Sequence, residues 1–263
     1  MNMKLNLSDF QPFAVKGLIR VGNPNDGGYI IPENISVDLL LSFGLGSNWT
    51  FERDLVAMRL AKRFVTFDHS VGVIKFGKNL IRSLRTFWSQ PLHVVYSTRV
   101  LVSYIRDFSF NKRHVKKKVV QNKGLLKDEE ISIEEIFEKY VKDAKSIMLK
   151  IDIEGDEYKI MDRVLASLQK VQIIILELHD LPNYAAFYLQ TKNELERHFN
   201  LIHVHGNNYG AVTSDGIPFV CEFTFVRKEL MNVQSLVRSL PIEELDSPNN
   251  PHSPDIKFDF SKD

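Results

Sequence analysis

A chain of 263 residues with 44% hydrophobic and 25% charged residues has the balance of a folded globular protein, which excludes a disordered, collagen-like or coiled-coil chain. Thirty-four Lys and Arg against 33 Asp and Glu leave +1, which excludes a uniformly basic nucleic-acid binder and a strongly acidic solvating chain. The single cysteine, Cys221, excludes an internal disulfide framework and points to a reducing compartment.

The first residues, MNMKLNLSDFQPF, contain no apolar stretch of signal-peptide length. No run approaches the ~18 apolar residues of a membrane span, so a cytoplasmic protein is expected. LIRV, GNPNDGG and YIIP then read as two strands around a turn rich in Gly, Asn, Asp and Pro. VDLLLSF, from Val37, is a continuous apolar run of strand length, followed by the loop GLGSN. WTFERDLVAMRLAKRF carries Phe51, Leu55, Met58 and Leu60 or Ala61 at helical spacing, and RFVTFD is a second strand ending at Asp68. Together they predict a β–loop–α–β unit of a parallel sheet buried on both faces.

Residues 69–123 break the charge balance. Twelve Lys and Arg stand there against one acid, Asp107, so this stretch carries +11 and the rest of the chain −10. Lys75, Lys78, Arg82 and Arg85 recur at spacings of three and four, which puts them on one helix face. Leu80, Ile81, Leu84, Phe87 and Trp88 are expected on the opposite face. Further on, KRHVKKK holds five formal charges in seven residues. A basic helix packed on the core with a solvated charged face is one expectation. A surface that docks a membrane headgroup layer or an anionic glycan, through residues 75–118, is the other.

Alternation resumes after Ser132. SIEEIFEKYV is helical, with Ser132 and Glu135 spaced as a capping box. SIMLKID is a strand ending at Asp152, EYKIMDRVLASLQ a helix, VQIIILEL a strand ending at Glu177 and His179, NYAAFYLQTKNELERHF a helix and LIHVHG a strand. FVCEFTFVRK alternates and reads as a last, antiparallel strand. The pattern predicts an α/β doubly wound sheet forming one domain over residues 1–263, with an N-terminal β-hairpin and a basic, partly helical insertion at 69–118. The Pro- and Asn-rich tail, LPIEELDSPNNPHSPDIKFDF, is expected to lie extended over the domain.

Ligands of doubly wound sheets sit beyond the carboxyl ends of the strands. Four groups fall there. Gly44 and Gly46 flank Leu45 in a G-x-G loop, but Trp49 occupies the place of the third glycine of a dinucleotide fold, which disfavours NAD. S-adenosylmethionine, with no pyrophosphate, needs no tight anion cradle. Asp68 can accept hydrogen bonds from two ribose hydroxyls. Asp152 and Glu154, two apart, can serve as general base, metal ligand or partner of the cofactor's amino group, and Asp156 and Glu157 read as acids capping the next helix. Finally His179 and His205 end neighbouring strands. His205 is expected at the rim, His203 on the other face or in the core, and either rim histidine can take a proton from a hydroxyl. With Asp152 and Glu154 they also form a candidate set for Mg or Mn.

These residues sit in LLSFGLGSNWTFERDL, VTFD, LKIDIEGDEYKIM and IIILELHDL, and with DGGYIIP, HGNNYG and the tail LDSPNNP…PDI they resemble the FkbM family of S-adenosylmethionine-dependent methyltransferases, of the type encoded with surface polysaccharides. The resemblance spans about residues 18–68 and 119–260. It implies the class I methyltransferase fold, with its last strand antiparallel, and transfer of a methyl group to a sugar oxygen of a surface glycan or its precursor. By position, Gly44, Gly46 and Asn48 fall in the cofactor loop, Asp68 matches the ribose acid, and Asp152 and Glu154 match the acidic pair of the family's DxEG block. Phe43 departs from the family, which often has an acid before the first glycine. The expected machinery is His205 or His179 as base, Asp152 orienting the acceptor or a metal, and a glycan or nucleotide sugar as acceptor. The alternative is a non-catalytic relative that docks to a membrane or a glycan-assembly complex.

Overall fold

The computed structural model describes residues 4–108, 113–121, 126–233 and 235–262, so Lys112 and Lys123 of the basic stretch lie outside the described residues. The chain opens with the expected hairpin, β1 (Leu18–Gly22) antiparallel to β2 (Gly28–Pro32). β3 (Val37–Phe43) then runs through the glycine loop into α1 (Thr50–Ala57), and β4 (Ala61–Phe67) returns. The helix is shorter than its periodicity predicts. Arg59 takes the left-handed region at φ +63°, Met58 is 50% exposed, and Ala61 is a strand residue paired with Val37. Pairing in a buried sheet outweighs one more turn of apolar spacing.

Next comes a helical hairpin, α2 (Val73–Arg85) and α3 (Pro91–Phe108), followed by β5 (His114–Val115), β6 (Lys118–Val120) and β7 (Glu130–Ser132). α4 (Ile133–Tyr140) begins with the predicted capping box: Ser132 Oγ accepts from the Glu135 amide at 3.2 Å, and Glu135 Oε2 accepts from the Ser132 amide at 3.0 Å. β8 (Ile147–Ile151), α5 (Glu157–Leu165), β9 (Val171–His179), α6 (Ala185–Leu195), β10 (Phe199–Gly206) and β11 (Val220–Arg227) complete the body. The tail is ordered over the domain and adds the short pair β12 (Ser239–Leu240) and β13 (Phe258–Asp259).

Seven strands form one sheet in the order β10-β11-β9-β8-β3-β4-β5. β11 is antiparallel to both neighbours, and the other adjacent pairs are parallel. Numbered by their entry into the sheet the strands run 3-2-1-4-5-7-6 with the seventh reversed, which is the class I methyltransferase arrangement. Residues 69–118 are therefore not a detached insertion. They end in the edge strand β5, with His114 beside Thr66 and Val115 beside Phe67. The segment is the crossover between the second and third strands, and a two-helix hairpin stands where one helix would suffice.

Each sheet face has its own core. Leu39, Leu41 and Phe43 of β3 point to the face covered by α4, α5, α6 and the tail, whereas Leu40 points to the face covered by β1, β2, α1 and α3. This alternation within an all-apolar run is what makes VDLLLSF a strand buried on both sides. No helix among the described residues is long and apolar enough to cross a membrane.

Candidate active site

Strand order reverses between β3 and β8, and the carboxyl ends of these strands open a cleft of about 610 Å³. Register brings the chemistry to one row. Phe43 pairs with Phe67 and with Ile151, and Ile151 pairs with Leu176, so Gly44, Asp68, Asp152 and Glu177 emerge side by side. All four line the cleft, together with Gly46, Asn48, Glu154 and His179.

The two glycines do different work. Gly44 has φ +87°, and a Cβ there would sit 1.6 Å from the Asp152 carbonyl oxygen. It is required by the close approach of two protein loops rather than by a ligand. Gly46, at φ +59°, has nothing within 4 Å of a Cβ position, so its backbone is open to the cleft. Asp68 Oδ2 accepts from the amides of Leu45 (3.0 Å) and Gly46 (3.1 Å), and Oδ1 accepts from Ser70 N at 2.7 Å. Burial opposes ionisation of this carboxyl, but the hydrogen bonds from Leu45, Ser70 and Gly46 win and hold it below the ordinary range. Oδ2 is filled by its two amides, whereas Oδ1 keeps a lone pair, so Asp68 shapes the glycine loop and can still accept from one ligand hydroxyl. Asn48 is more fully engaged: its Nδ2 donates to the Asp26 carbonyl at 2.8 Å, and its Oδ1 accepts from Thr50 N and Oγ1 at the start of α1. Oδ1 thus caps the start of α1 and Nδ2 ties the loop to Asp26, while Asn48 lines the cleft.

Lys150 carries no motif beyond its place in the strand SIMLKID, yet it is central. It is buried, with its Nζ 3.1 Å from Asp152 Oδ2, 3.3 Å from the Gly44 carbonyl and 3.9 Å from Glu52 Oε1. Burial alone would neutralise it, but Asp152 and Glu52 raise its pKa and keep the ammonium charged. Tyr29 of β2 adds its hydroxyl to Asp152 Oδ2 (3.3 Å) and Glu177 Oε2 (3.4 Å). Glu177 also accepts from Asn207 Nδ2 at 3.0 Å, and burial, with Asp152 and Glu222 nearby, lifts it well above the carboxylate range.

His179 is the histidine that reaches the cleft. Its Nδ1 lies 3.2 Å from Glu157 Oε1, and its Nε2 lies 3.5 Å from Glu154 Oε2. Burial works against the charged imidazole, but Glu157 raises its pKa above the ordinary value. Glu157 is fully buried and also accepts from the amides of Ile153 (2.8 Å) and Gly155 (2.9 Å). The expected capping role of this acid therefore extends to fixing the turn before α5 and the imidazole. Asp156 instead pairs with Lys118 at 2.6 Å and with Lys159. Glu154 stands at φ +57° with its side chain 88% exposed at the cleft.

Asp152, Glu154 and His179 each offer a ligand atom within 4.8 Å of the others. The set does not fit a resident divalent ion. Asp152 Oδ2 already accepts from the Lys150 ammonium and from Tyr29, so a metal there would face a buried positive charge.

His205 is a correction to the sequence expectation. It is not at the rim but buried within β10, with Nε2 3.1 Å from both oxygens of Asp255, and it does not line the cleft. Burial opposes its charge, but Asp255 and Glu222 push its pKa up to about 10. At neutral pH it is an imidazolium and cannot act as a base. His203 is also buried, 3.1 Å from Asp246. Both carboxylates come from the tail, about 40–50 residues downstream, and no local pattern foretells them.

Residues 89–209 match the family model described as the methyltransferase FkbM domain. The match includes Asp152, Glu154, Glu157 and His179, and it begins inside the α2–α3 hairpin, after the glycine loop. Solved structures with a similar fold include Sp1610 of Streptococcus pneumoniae in complex with S-adenosyl-L-methionine (11% identity, 74% of this chain and 68% of that one, TM-score 0.37). TrmK of M. capricolum with S-adenosyl-homocysteine shares 11% identity over 74% and 65% of the two chains, TM-score 0.36. The fibrillarin pre-rRNA processing protein of Methanococcus jannaschii shares 8% over 76% and 70%, TM-score 0.35. No curated protein matches the chain.

Proposed function

We propose that this chain, whose residues 89–209 match the methyltransferase FkbM domain, uses S-adenosylmethionine to methylate a sugar hydroxyl of a bacterial surface glycan or its precursor, presented as a glycan or nucleotide sugar. The observation that carries the reading is the register row of Gly44, Asp68, Asp152 and Glu177 at the switch point, with the open Gly46 backbone and His179 lining the same cleft. Gly46, Leu45 and Asp68 would hold the cofactor's nucleoside, and the Asp152–Glu154 turn the other side of the cleft. When bound, S-adenosylmethionine supplies an electrophilic methyl on a positive sulfur leaving group.

The protein's own part is to aim a hydroxyl and take its proton. His179 Nε2 faces the cleft while Glu157 holds Nδ1, which fixes the ring and stabilises the imidazolium that forms. As the acceptor's O–C bond forms and the S–C bond breaks, the hydroxyl proton passes to Nε2. Lys150 donates to Asp152 Oδ2 and fixes the carboxyl at the cleft, where it can accept a second acceptor hydroxyl and orient it.

S-adenosylhomocysteine should raise the melting temperature. Asp68→Ala should abolish that shift, with Asp68→Asn retaining part of it. His179→Gln should keep the shift but lower methyl transfer by about 10²- to 10⁴-fold. Because the imidazole's pKa is raised, the parent's rate should climb through a value above 6.5 as His179 loses its proton. No stabilisation by either cofactor form would sink the reading in favour of a non-catalytic docking protein.

A further inference from the structure

The α2–α3 hairpin is anchored at one end only. At its root, Phe76, Tyr104 and Phe108 pack around Trp49, with ring centroids 5.4–6.1 Å away, and Trp49 Nε1 donates to Asp107 at 2.9 Å. Roughly 15 Å further out, at 1.5 Å per residue, the hairpin has left the body behind. The predicted packing of its apolar residues is accordingly not found. Ile81 and Leu84 are more than half exposed, and Trp88 (95%) and Leu92 (78%) stand bare at the tip. Phe87 and Trp88 lie past the end of α2, in the turn.

The arrangement around α2 is in three sectors. At 100° per residue, Phe76 and Ser83 define the buried side. Val73, Ile74, Ile81 and Leu84 fill the next arc, and Lys78, Arg85, Arg82 and Lys75 the arc after that. The cations are thus beside the exposed apolar stripe rather than across the helix from it. These four, and Arg99 of α3, are exposed and make no ion pair with the described residues. The other end of the basic stretch is different. Lys117 and Lys118 line the cleft, Lys118 is paired with Asp156, and Arg113 lies 4.9 Å over the Phe64 ring.

From this geometry we infer that the tip of the α2–α3 hairpin docks on an anionic lipid bilayer, with its apolar arc and Trp88 among the acyl chains and Lys75, Lys78, Arg82 and Arg85 at the headgroups. An apolar stripe bordered by cations, with an aromatic residue at the end, matches the two chemistries that a charged membrane surface offers within a few ångströms of each other. A second copy fits less well, because a two-fold contact through this face brings its own cations together. The hairpin also touches the cofactor loop, where Ser47 Oγ and Tyr96 OH are 3.2 Å apart. Tyr96 stands about five residues from the start of α3 at Pro91, so docking would hold this loop roughly 8 Å along the helix from the docked tip.

The test needs neither cofactor nor acceptor, so it is independent of the proposed reaction. The full chain is sedimented with vesicles of phosphatidylglycerol and phosphatidylcholine, and with phosphatidylcholine alone. At low salt we expect binding to the anionic vesicles only, with a blue shift of Trp88 emission that is absent in Trp88→Phe. The buried Trp49 provides a constant background. The pair Trp88→Ser and Leu92→Ser, and separately Lys75→Gln, Lys78→Gln, Arg82→Gln and Arg85→Gln together, should each weaken binding at least tenfold without moving the melting temperature. Binding to neither vesicle, equal binding to both, or binding unchanged in both variants would overturn the proposal. So would a dimer in sedimentation that Trp88→Ser and Leu92→Ser dissociates, which would make a second copy the occupant.

Discussion

At the carboxyl edge of the sheet, buried charges have partners; on the distal α2–α3 hairpin, large apolar side chains stand exposed to solvent. Lys150 is surrounded by Asp152, Glu52 and the Gly44 carbonyl, and His205 is gripped by Asp255. Trp88, Leu92 and Ile74 face solvent, on a segment whose +11 balances a body at −10. Both arrangements are costly in isolation, but in different ways. A buried charge is repaid inside the same chain, within hydrogen-bonding distance. An exposed apolar arc can be repaid only by something outside the chain. The sheet edge is complete as it stands, and the hairpin is not.

The sharpest way to break the comparison is at Gly44. Gly44→Ala places a methyl group 1.6 Å from the Asp152 carbonyl oxygen, so the loops after β3 and β8 cannot both keep their paths. We expect loss of the folded, cofactor-responsive protein. Gly46→Ala meets only open space and should cost about 1–2 kcal/mol for its positive φ. Equal effects in thermal melts would show that the two glycines do not differ as described.

Removing a partner inside the body comes next. His205→Ala leaves Asp255 and Glu222 without their cation and should cost about 3–5 kcal/mol in denaturant unfolding, as for other broken buried pairs. The parent's pH dependence has a definite sign. The folded pKa of His205, about 10, lies above the ordinary 6.5, so its stabilisation is complete below about pH 6.5 and is lost as pH rises through about 10. The alkaline slope should flatten in the variant, and an unchanged slope would assign the proton elsewhere.

The hairpin supplies the smallest and most telling effect. Phe76→Ala, at its root, should cost about 3–5 kcal/mol, whereas Trp88→Ser, at its tip, should fall within about 0.5 kcal/mol of the parent. A large cost for Trp88→Ser would mean that the tip packs against the body after all.

The elements that sequence reading recovers best are those whose signal is local. VDLLLSF and VQIIILEL are apolar throughout because both sheet faces are covered, and Ser132 with Glu135 announces α4 because a capping box is complete within four residues. The row Gly44, Asp68, Asp152 and Glu177, with His179 two residues on, is legible for the same reason: each follows directly on a recognisable strand or stands at its end. What escaped was set by distant contacts. The end of α1 depends on where Ala61 pairs with Val37. His205 is buried because the tail folds back over β10, which alternation along LIHVHG cannot reveal. Lys150 carries no motif of its own, and only the acids around it show that it matters. Glu157 was legible as a cap but not as the partner of His179, since the two are 22 residues apart. For α2 the sequence leaves core packing and a docking surface both open, because periodicity reports a face, not what covers it.

Cys221 gives all of this a clock. Its thiol is fully buried on β11, donates to the His205 carbonyl at 3.2 Å, and sits in a strand flanked by β9 on one side and β10 on the other. Burial holds it well above the ordinary thiol pKa, so it is unreactive in the closed sheet. A thiol reagent can reach it only when β11 comes away from its neighbours. The rate of labelling at this one position therefore reads how often the innermost antiparallel strand opens, and a ligand held at the neighbouring strand ends should slow that rate in proportion to its occupancy.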